Sequence, residues 1–119
     1  MSLLEKIRKA HGPKTFTVEI PEWSENDEPL QVPARRFGAQ DYIELSNRKP
    51  EEDEDRETFE CMVFVIQRSL INEDGSQLLD DDDLYLLRDN PTLVARVGKE
   101  LFERNKLGKD RPKNSASSP

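Results

Sequence analysis

The residues most often used in enzyme active sites are scarce in this chain. His11 is its only histidine and Cys61 its only cysteine. A thiolate beside an imidazole is a nucleophile, so cysteine–histidine catalysis would have to be built from this pair. Cys61 lies in an apolar run, where a thiol is usually a small core side chain, and His11 ends a short predicted helix, where it can interact with the helix dipole. The sequence therefore favours structural roles for both residues.

Acidic residues are abundant and could in principle bind a metal ion or catalyse hydrolysis. The four aspartates at residues 80–83 carry the oxygen ligands that divalent cations prefer. An EF-hand loop needs an oxygen ligand at its first position, and if Gly75 were its sixth residue, the first would be Leu70. Helix capping and a solvated surface explain the run better. No pair among the 25 Asp and Glu residues is marked out for hydrolysis, and no glycine-rich phosphate loop is found, so we predict a non-enzymatic protein without metal or cofactor.

Composition indicates a small domain with a thin core. The chain has 119 residues, enough for one domain, with 34% hydrophobic and 36% charged residues. Globular proteins average about 45–50% apolar and about 25% charged residues. We therefore expect parts of the chain to be mobile or to need a partner. The net charge of -7 argues against nucleic acid as that partner, because phosphates are bound by Lys and Arg.

The sequence also predicts where the protein resides. A single cysteine excludes an intrachain disulfide and is compatible with a reducing compartment. No apolar run approaches the ~18 residues of a membrane span. The apolar residues at the start are interrupted by charges, unlike those of a signal peptide. We expect no membrane association and a cytosolic location.

The first third of the chain predicts a helix followed by a β-hairpin. Residues 2–11 form an amphipathic helix with Ser2 and Glu5 at capping-box spacing. Residues 14–20 alternate apolar and polar side chains, as in a half-buried strand, and we expect Pro21 to end it. Residues 22–29 form a polar connector, and residues 30–37 form the antiparallel return strand, with a third short strand as an option.

The remainder predicts helices separated by turns. A short helix falls within residues 38–49, with an apolar side formed by Ala39, Tyr42, Ile43 and Leu45. The acidic residues 51–57 are either a loop or the first turn of the next helix, and we favour a loop that becomes the helix. Residues 58–70 have helical spacing and are expected to form the central helix, although residues 61–66 alone could be a buried strand. After a turn at residues 72–75, a short helix begins near Asp80. The last helix has Asn90 as N-cap and Pro91 at its first position, and runs to Leu107.

The predicted fold is thus a small, mostly helical α+β domain with an N-terminal β-hairpin. Residues 1–107 form this single domain, and residues 108–119 have almost nothing to bury, so we expect a disordered tail or linker.

Five residues are candidates for partner binding. Trp23, in the polar connector, either folds back as a lid over the hairpin or is an exposed anchor. Arg35 and Arg36 either pair with acids of the same chain or contact a partner. The last helix has apolar residues on more than one side, so Val94 and Phe102 are candidates for a contact surface outside the core.

The order of elements resembles a family of viral proteins. The chain begins MSLLEKIRKA, continues with strands ending IPEW and RRF, and then has an apolar helix, an NEDG turn, LLDDDD, a short leucine helix and a final helix ending LFERNKLG. Over roughly residues 1–108 this order is similar to the tail assembly chaperones of long-tailed bacteriophages. The family has no motif that can be transferred residue by residue, so the five candidates depend on expected exposure alone.

The resemblance implies a function and a set of partners. Such chaperones coat the aggregation-prone tape measure protein in the host cytoplasm until tail tube subunits polymerise around it, and they are absent from the mature virion. A longer frameshifted product, which would contact the tail tube protein, is also implied. We further expect a homo-oligomer.

Two other classes of function compete with the chaperone. An acidic inhibitor or DNA mimic would present carboxylates, spaced like phosphates on rigid elements, to a host nucleic-acid enzyme. The densest acids fall in a predicted loop, which weighs against a mimic. A small hydrolase would need a pocket for which the sequence offers no residues.

Overall fold

A computed structural model describes residues 2–12 and 14–105 of the chain. These residues form five α-helices and two strands, in the order α1 (Leu3–His11), β1 (Thr15–Glu25), β2 (Glu28–Arg35), α2 (Ala39–Asn47), α3 (Glu54–Ser69), α4 (Tyr85–Arg88) and α5 (Pro91–Arg104). A single 3-10 turn, Asp81–Asp83, precedes α4. The predicted α+β class with an N-terminal hairpin is confirmed. The predicted tail, residues 108–119, and the predicted helix end at Leu107 lie outside the described residues.

The hairpin is longer than the sequence predicts. Strand β1 continues through Pro21 to Glu25, so the predicted strand end at Pro21 is wrong. The tight turn is formed by Asn26 and Asp27, whose φ angles of 55° and 63° suit a two-residue hairpin turn. The pairing register is regular from Thr15 to Ile20 and shifts between Ile20 and Glu25. Pro21, which has no N–H to donate, lies within this irregular stretch.

The core lies between one face of the hairpin and helices α3 and α5. Alternate strand residues, such as Val18 and Ile20 in β1, are completely buried. Ile66 of α3 and Leu101 of α5 are buried against them in one cluster. Residues 61–66 are helical, so the predicted central helix is confirmed and the strand alternative is excluded.

The acidic residues before the central helix serve its N-terminus. Asp53 is the N-cap of α3, and its carboxylate accepts hydrogen bonds from the N–H groups of Asp55 and Arg56 at 2.8 and 3.1 Å. The predicted loop that becomes a helix is confirmed. Just after the other end of α3, isolated β-bridges join Ala34 to Leu70 and Ile71 to Gln77. These single residue pairs stand where a third short strand was considered.

The segment between α3 and α5 has its turn and its helix starts at the predicted residues. Gly75 has a φ of 92° and donates to the carbonyl of Asn72 at 2.9 Å, which closes the predicted turn. Asp83 accepts a hydrogen bond from the N–H of Asp80 at 2.9 Å, so the acidic run does cap a helical start. Asn90 and Pro91 begin α5 as predicted, although the Asn90 side chain donates to the carbonyl of Leu86 and does not cap an N–H. Within the described ranges, no helix is both long and apolar enough to cross a bilayer.

Candidate protein-binding surface

Helices α1 and α2 expose most of the large apolar side chains that the described residues leave in solvent. Six such side chains are more than two-fifths exposed, and five of them lie on these two helices. We call these five the α1–α2 apolar surface: Leu3, Leu4, Ile7, Tyr42 and Ile43. The sixth, Tyr85, belongs to α4. Clustered exposed apolar side chains mark sites of protein interaction, whereas single ones are ordinary.

Local hydrogen bonds at both ends support helix α1. Ser2 Oγ accepts a hydrogen bond from the N–H of Glu5 at 3.1 Å, and a Glu5 carboxylate oxygen accepts one from the N–H of Ser2 at 3.0 Å. This is the predicted capping box, and Gly12, with a φ of 88°, caps the other end. None of the nine helical residues is buried. Because isolated helices shorter than ~12–15 residues are marginal, α1 would be stabilised by burying its apolar side.

The charge of α1 differs from that of the rest of the chain. Lys6, Arg8 and Lys9 outnumber Glu5, which gives the helix a net charge of +2 in a chain of net charge -7. At about 100° per residue, Lys6 and Arg8 lie on opposite sides of the stripe that contains Leu3 and Ile7. The stripe is therefore apolar with basic margins.

A partly buried ion pair fixes α2 to the end of β2. The Arg35 guanidinium donates two hydrogen bonds to the Asp41 carboxylate at 2.7 and 2.9 Å, and Asp41 also accepts the N–H of Gly38 at 2.8 Å. Burial by itself would raise the pKa of Asp41, which is only 5% exposed. The hydrogen bonds from Arg35 and Gly38 outweigh it and hold the pKa below its usual value. Arg35 thus holds α2 in position through an ion pair within the same chain.

The same face of α2, one turn further on, is attached to the central helix. Arg68 of α3 forms an ion pair with Glu44 and places its guanidinium 4.7 Å from the centroid of the Phe64 ring. Phe37, just before α2, contacts Tyr42 edge-on, with ring centroids 5.3 Å apart. Tyr42 and Ile43 remain 44% and 52% exposed after these contacts.

Phe37 also relates α2 to α1. It lines a surface depression of about 440 Å³ together with Ala10, His11 and Gly12 at the end of α1. Since Phe37 contacts Tyr42 as well, the end of α1 and the first turn of α2 share this part of the molecule. Phe37 thus brings the C-terminal end of α1 to the same part of the surface as Tyr42, one of the exposed apolar residues of α2.

None of the five residues predicted for partner binding belongs to the α1–α2 apolar surface. Trp23 is half-buried and packs against the core cluster, as the predicted lid would. Arg36 donates to the carbonyl of Arg104 at 3.2 Å. Phe102 is half-buried against the core.

Val94 is completely buried, so its prediction as a contact residue is wrong. The physical reason is that α5 packs against both α3 and β1, and two neighbours bury a wider stripe than one.

Cys61 and His11 are in different environments. The Cys61 thiol donates to a Glu57 carboxylate oxygen at 3.2 Å, and Arg48 donates to the same carboxylate and to the sulfur. Burial, together with the Glu57 hydrogen bond, raises the pKa of Cys61 and so favours the unreactive thiol. His11 is exposed beside the depression at the end of α1. The arrangement supports the structural roles favoured by the sequence.

The carboxylates do not converge on a metal-binding geometry in the part of the chain that the structure describes. No group of three or more His, Cys, Asp or Glu side chains among residues 2–12 and 14–105 could hold a metal ion. Comparisons of the chain with protein-family models, with curated proteins and with solved structures found no match. The chemistry available at the α1–α2 apolar surface is non-covalent binding of another apolar surface.

Proposed function

We propose that this protein is a tail assembly chaperone of a long-tailed phage that binds the tape measure protein through the α1–α2 apolar surface. It acts without catalysis, in the host cytoplasm, and leaves before the virion is finished. A frameshift-extended form would add contact with the tail tube protein. The exposure of Leu3, Leu4, Ile7 and Ile43, each more than half exposed, is the observation that carries this proposal.

The chemistry of the surface suits a long helical client. An amphipathic helix is recognised when its apolar stripe is laid against apolar side chains spaced along another helix or groove. Leu3, Leu4 and Ile7 supply such a stripe on α1, and Tyr42 and Ile43 extend the apolar area onto α2. Five exposed side chains offer a small apolar contact area, so moderate affinity is expected. A coat that must be removed during tube assembly needs moderate affinity.

The charge distribution suits a solubilising coat. The chain outside α1 carries a net charge of -9, because α1 contributes +2 to the total of -7. Once the apolar side of α1 faces a client, the acidic remainder faces solvent. Like-charged particles repel each other, which opposes aggregation of the coated client.

The acidic inhibitor or DNA mimic is the second candidate, and the exposed carboxylates of residues 51–55 favour it. Their other contacts weigh against it. Asp53 caps α3, and Glu51 lies 3.5 Å from Arg56. Glu57, just after this run, is paired with Arg48. These acids follow the turn into a helix and do not form a straight, phosphate-like row.

Affinity capture separates the two candidates. The tagged protein is expressed during infection, cross-linked, purified and analysed by mass spectrometry. We expect the wild-type protein to enrich the tape measure protein and the double variant Leu4→Asp/Ile43→Asp to lose it. The matched control Tyr85→Asp changes the exposed apolar residue outside the surface and should retain the client. Enrichment of a host nuclease or polymerase would overturn the chaperone and support the mimic.

A further inference from the structure

Helices α1 and α2 differ in the charged residues that accompany their exposed apolar side chains. Helix α1 offers an apolar stripe with basic margins, formed by Lys6 and Arg8. Helix α2 offers Tyr42 and Ile43, and it is followed within a few residues by the exposed acids of residues 51–55. One element is apolar and basic, and the other is apolar and is followed along the chain by an acidic segment. Each chain carries both.

Within one chain these two elements do not cover each other. All nine residues of α1 remain unburied, and Ile43 is still 52% exposed. The connection limits how α1 can move, since Gly12, with its φ of 88°, lies close to Arg36 and only two residues separate it from the start of β1. The described part of its own chain therefore leaves the apolar side of α1 uncovered.

We propose that α1 of one copy docks on α2 of a second copy, so that two chains form a symmetric dimer with two equivalent contacts. Leu3, Leu4 and Ile7 would cover Tyr42 and Ile43 of the other copy, while Lys6 and Arg8 face its acids at residues 51–55. A twofold axis satisfies both contacts at once, as in isologous interfaces. This dimer goes beyond the proposed function, because it is the state of the protein before a client displaces the second copy from the same surface.

The small number of apolar side chains makes this a weak dimer. Five side chains per copy place the interface near or below the ~1,200 Å² limit of standard interfaces, where transient complexes are found. We expect a dissociation constant on the order of micromolar, which a long client with many binding segments can overcome. Because the margins are ionic and exposed, raising the salt concentration should weaken the dimer.

Reciprocal charge reversal tests the pairing. The α1-reversed variant carries Lys6→Glu and Arg8→Glu, and the acid-reversed variant carries Glu52→Lys, Glu54→Lys and Asp55→Lys, all at exposed positions. The three reversals change the net charge of residues 51–55 from -5 to +1. By sedimentation equilibrium, each variant alone should dimerise at least tenfold more weakly than wild type, because like charges then face each other in both contacts. In an equimolar mixture both contacts regain opposite charges, so the heterodimer should return to near wild-type strength. A mixture no stronger than its separate components would overturn the proposal.

Apolar substitutions and the oligomeric state of the wild-type protein provide two further tests of the dimer. Ile7→Asp should abolish the dimer and Tyr85→Asp should not, with circular dichroism melting curves confirming that both variants are folded. Wild-type protein that stays monomeric at several hundred micromolar overturns the dimer, even if it captures the tape measure protein, so the two proposals can fail separately. Monomeric protein that binds phosphatidylglycerol vesicles would instead assign the basic amphipathic α1 to a membrane surface.

Discussion

Gly98 of α5 lies directly against Met62 of α3. A Cβ atom at position 98 would be 2.9 Å from both Cβ and Cγ of Met62, closer than carbon atoms pack. The two longest helices therefore approach each other at a residue that has no side chain. This contact fixes the position of α5 over the central helix and hence the shape of the core that supports the exposed helices.

The first prediction follows from this contact. Gly98→Ala should lower the free energy of unfolding by about 1–2 kcal/mol, because overpacking at the helix contact exceeds the gain in helix propensity. Urea denaturation measures the change. Lys99→Ala, at the adjacent exposed position, should stay within about 0.5 kcal/mol of wild type. Equal stability of wild type and Gly98→Ala would contradict the close approach.

The second prediction concerns the ion pair that positions α2. Asp41→Asn keeps the shape of the side chain but removes the charge that accepts hydrogen bonds from Arg35 and Gly38. Because the Arg35 side chain is 37% exposed, solvent screens part of the loss, and we expect a destabilisation of about 1–3 kcal/mol. Gln40→Ala, which removes only an exposed hydrogen bond to Glu44, is the matched control. If both variants melted together, the pair would have no role in stability.

The third prediction is a pH dependence centred on Glu57. Hydrogen bonds from Arg48, from the N–H of Glu51 and from Cys61 lower the pKa of Glu57 to about 2. An unfolded glutamate has a pKa of 4.5, so between these values the unfolded chain binds more protons and stability rises with pH. The contribution of Glu57 is fully present above pH 4.5 and is lost as the pH falls towards 2.

Glu57→Gln tests this dependence. Urea denaturation is measured between pH 2.5 and pH 5.5, a range whose upper limit is about one unit above the ordinary glutamate pKa. The free energy of unfolding should rise less steeply with pH for the variant than for wild type. Other carboxyls with lowered pKa values, such as Asp41, contribute to both proteins and cancel in the difference. Glu103→Gln, at an exposed position on α5, should leave the slope unchanged. Identical slopes for wild type and Glu57→Gln would refute the proposed role of the cluster.

Particular residues show what the sequence could predict. The alternation around Val18 and Ile20 placed the buried face of β1 correctly, because a period of two is local information. The hairpin turn at Asn26 and Asp27 was missed because Pro21 and the following polar residues resemble a connector. Whether a proline is tolerated in a strand depends on the pairing register, which is set by both strands together.

The candidate surface was harder to predict than the fold. The apolar sides of α1 and α2 were evident from helical spacing, but spacing does not say whether a neighbour covers them. For α5 the neighbours α3 and β1 cover Val94, whereas for α1 no part of the described chain covers Leu3. The low apolar content of the chain signalled that some face would stay open, without identifying the face.

The proposed chaperone function is tested most directly by co-expressing this protein with the tape measure protein of a long-tailed phage and measuring the solubility of the tape measure protein. Wild type and the control Tyr85→Asp should keep the tape measure protein in the supernatant after centrifugation. The double variant Leu4→Asp/Ile43→Asp should remain folded, because the two changed residues are 53% and 52% exposed. It should leave the tape measure protein in the pellet. A tape measure protein that is insoluble with wild type, or equally soluble with the double variant, would contradict binding through the α1–α2 apolar surface.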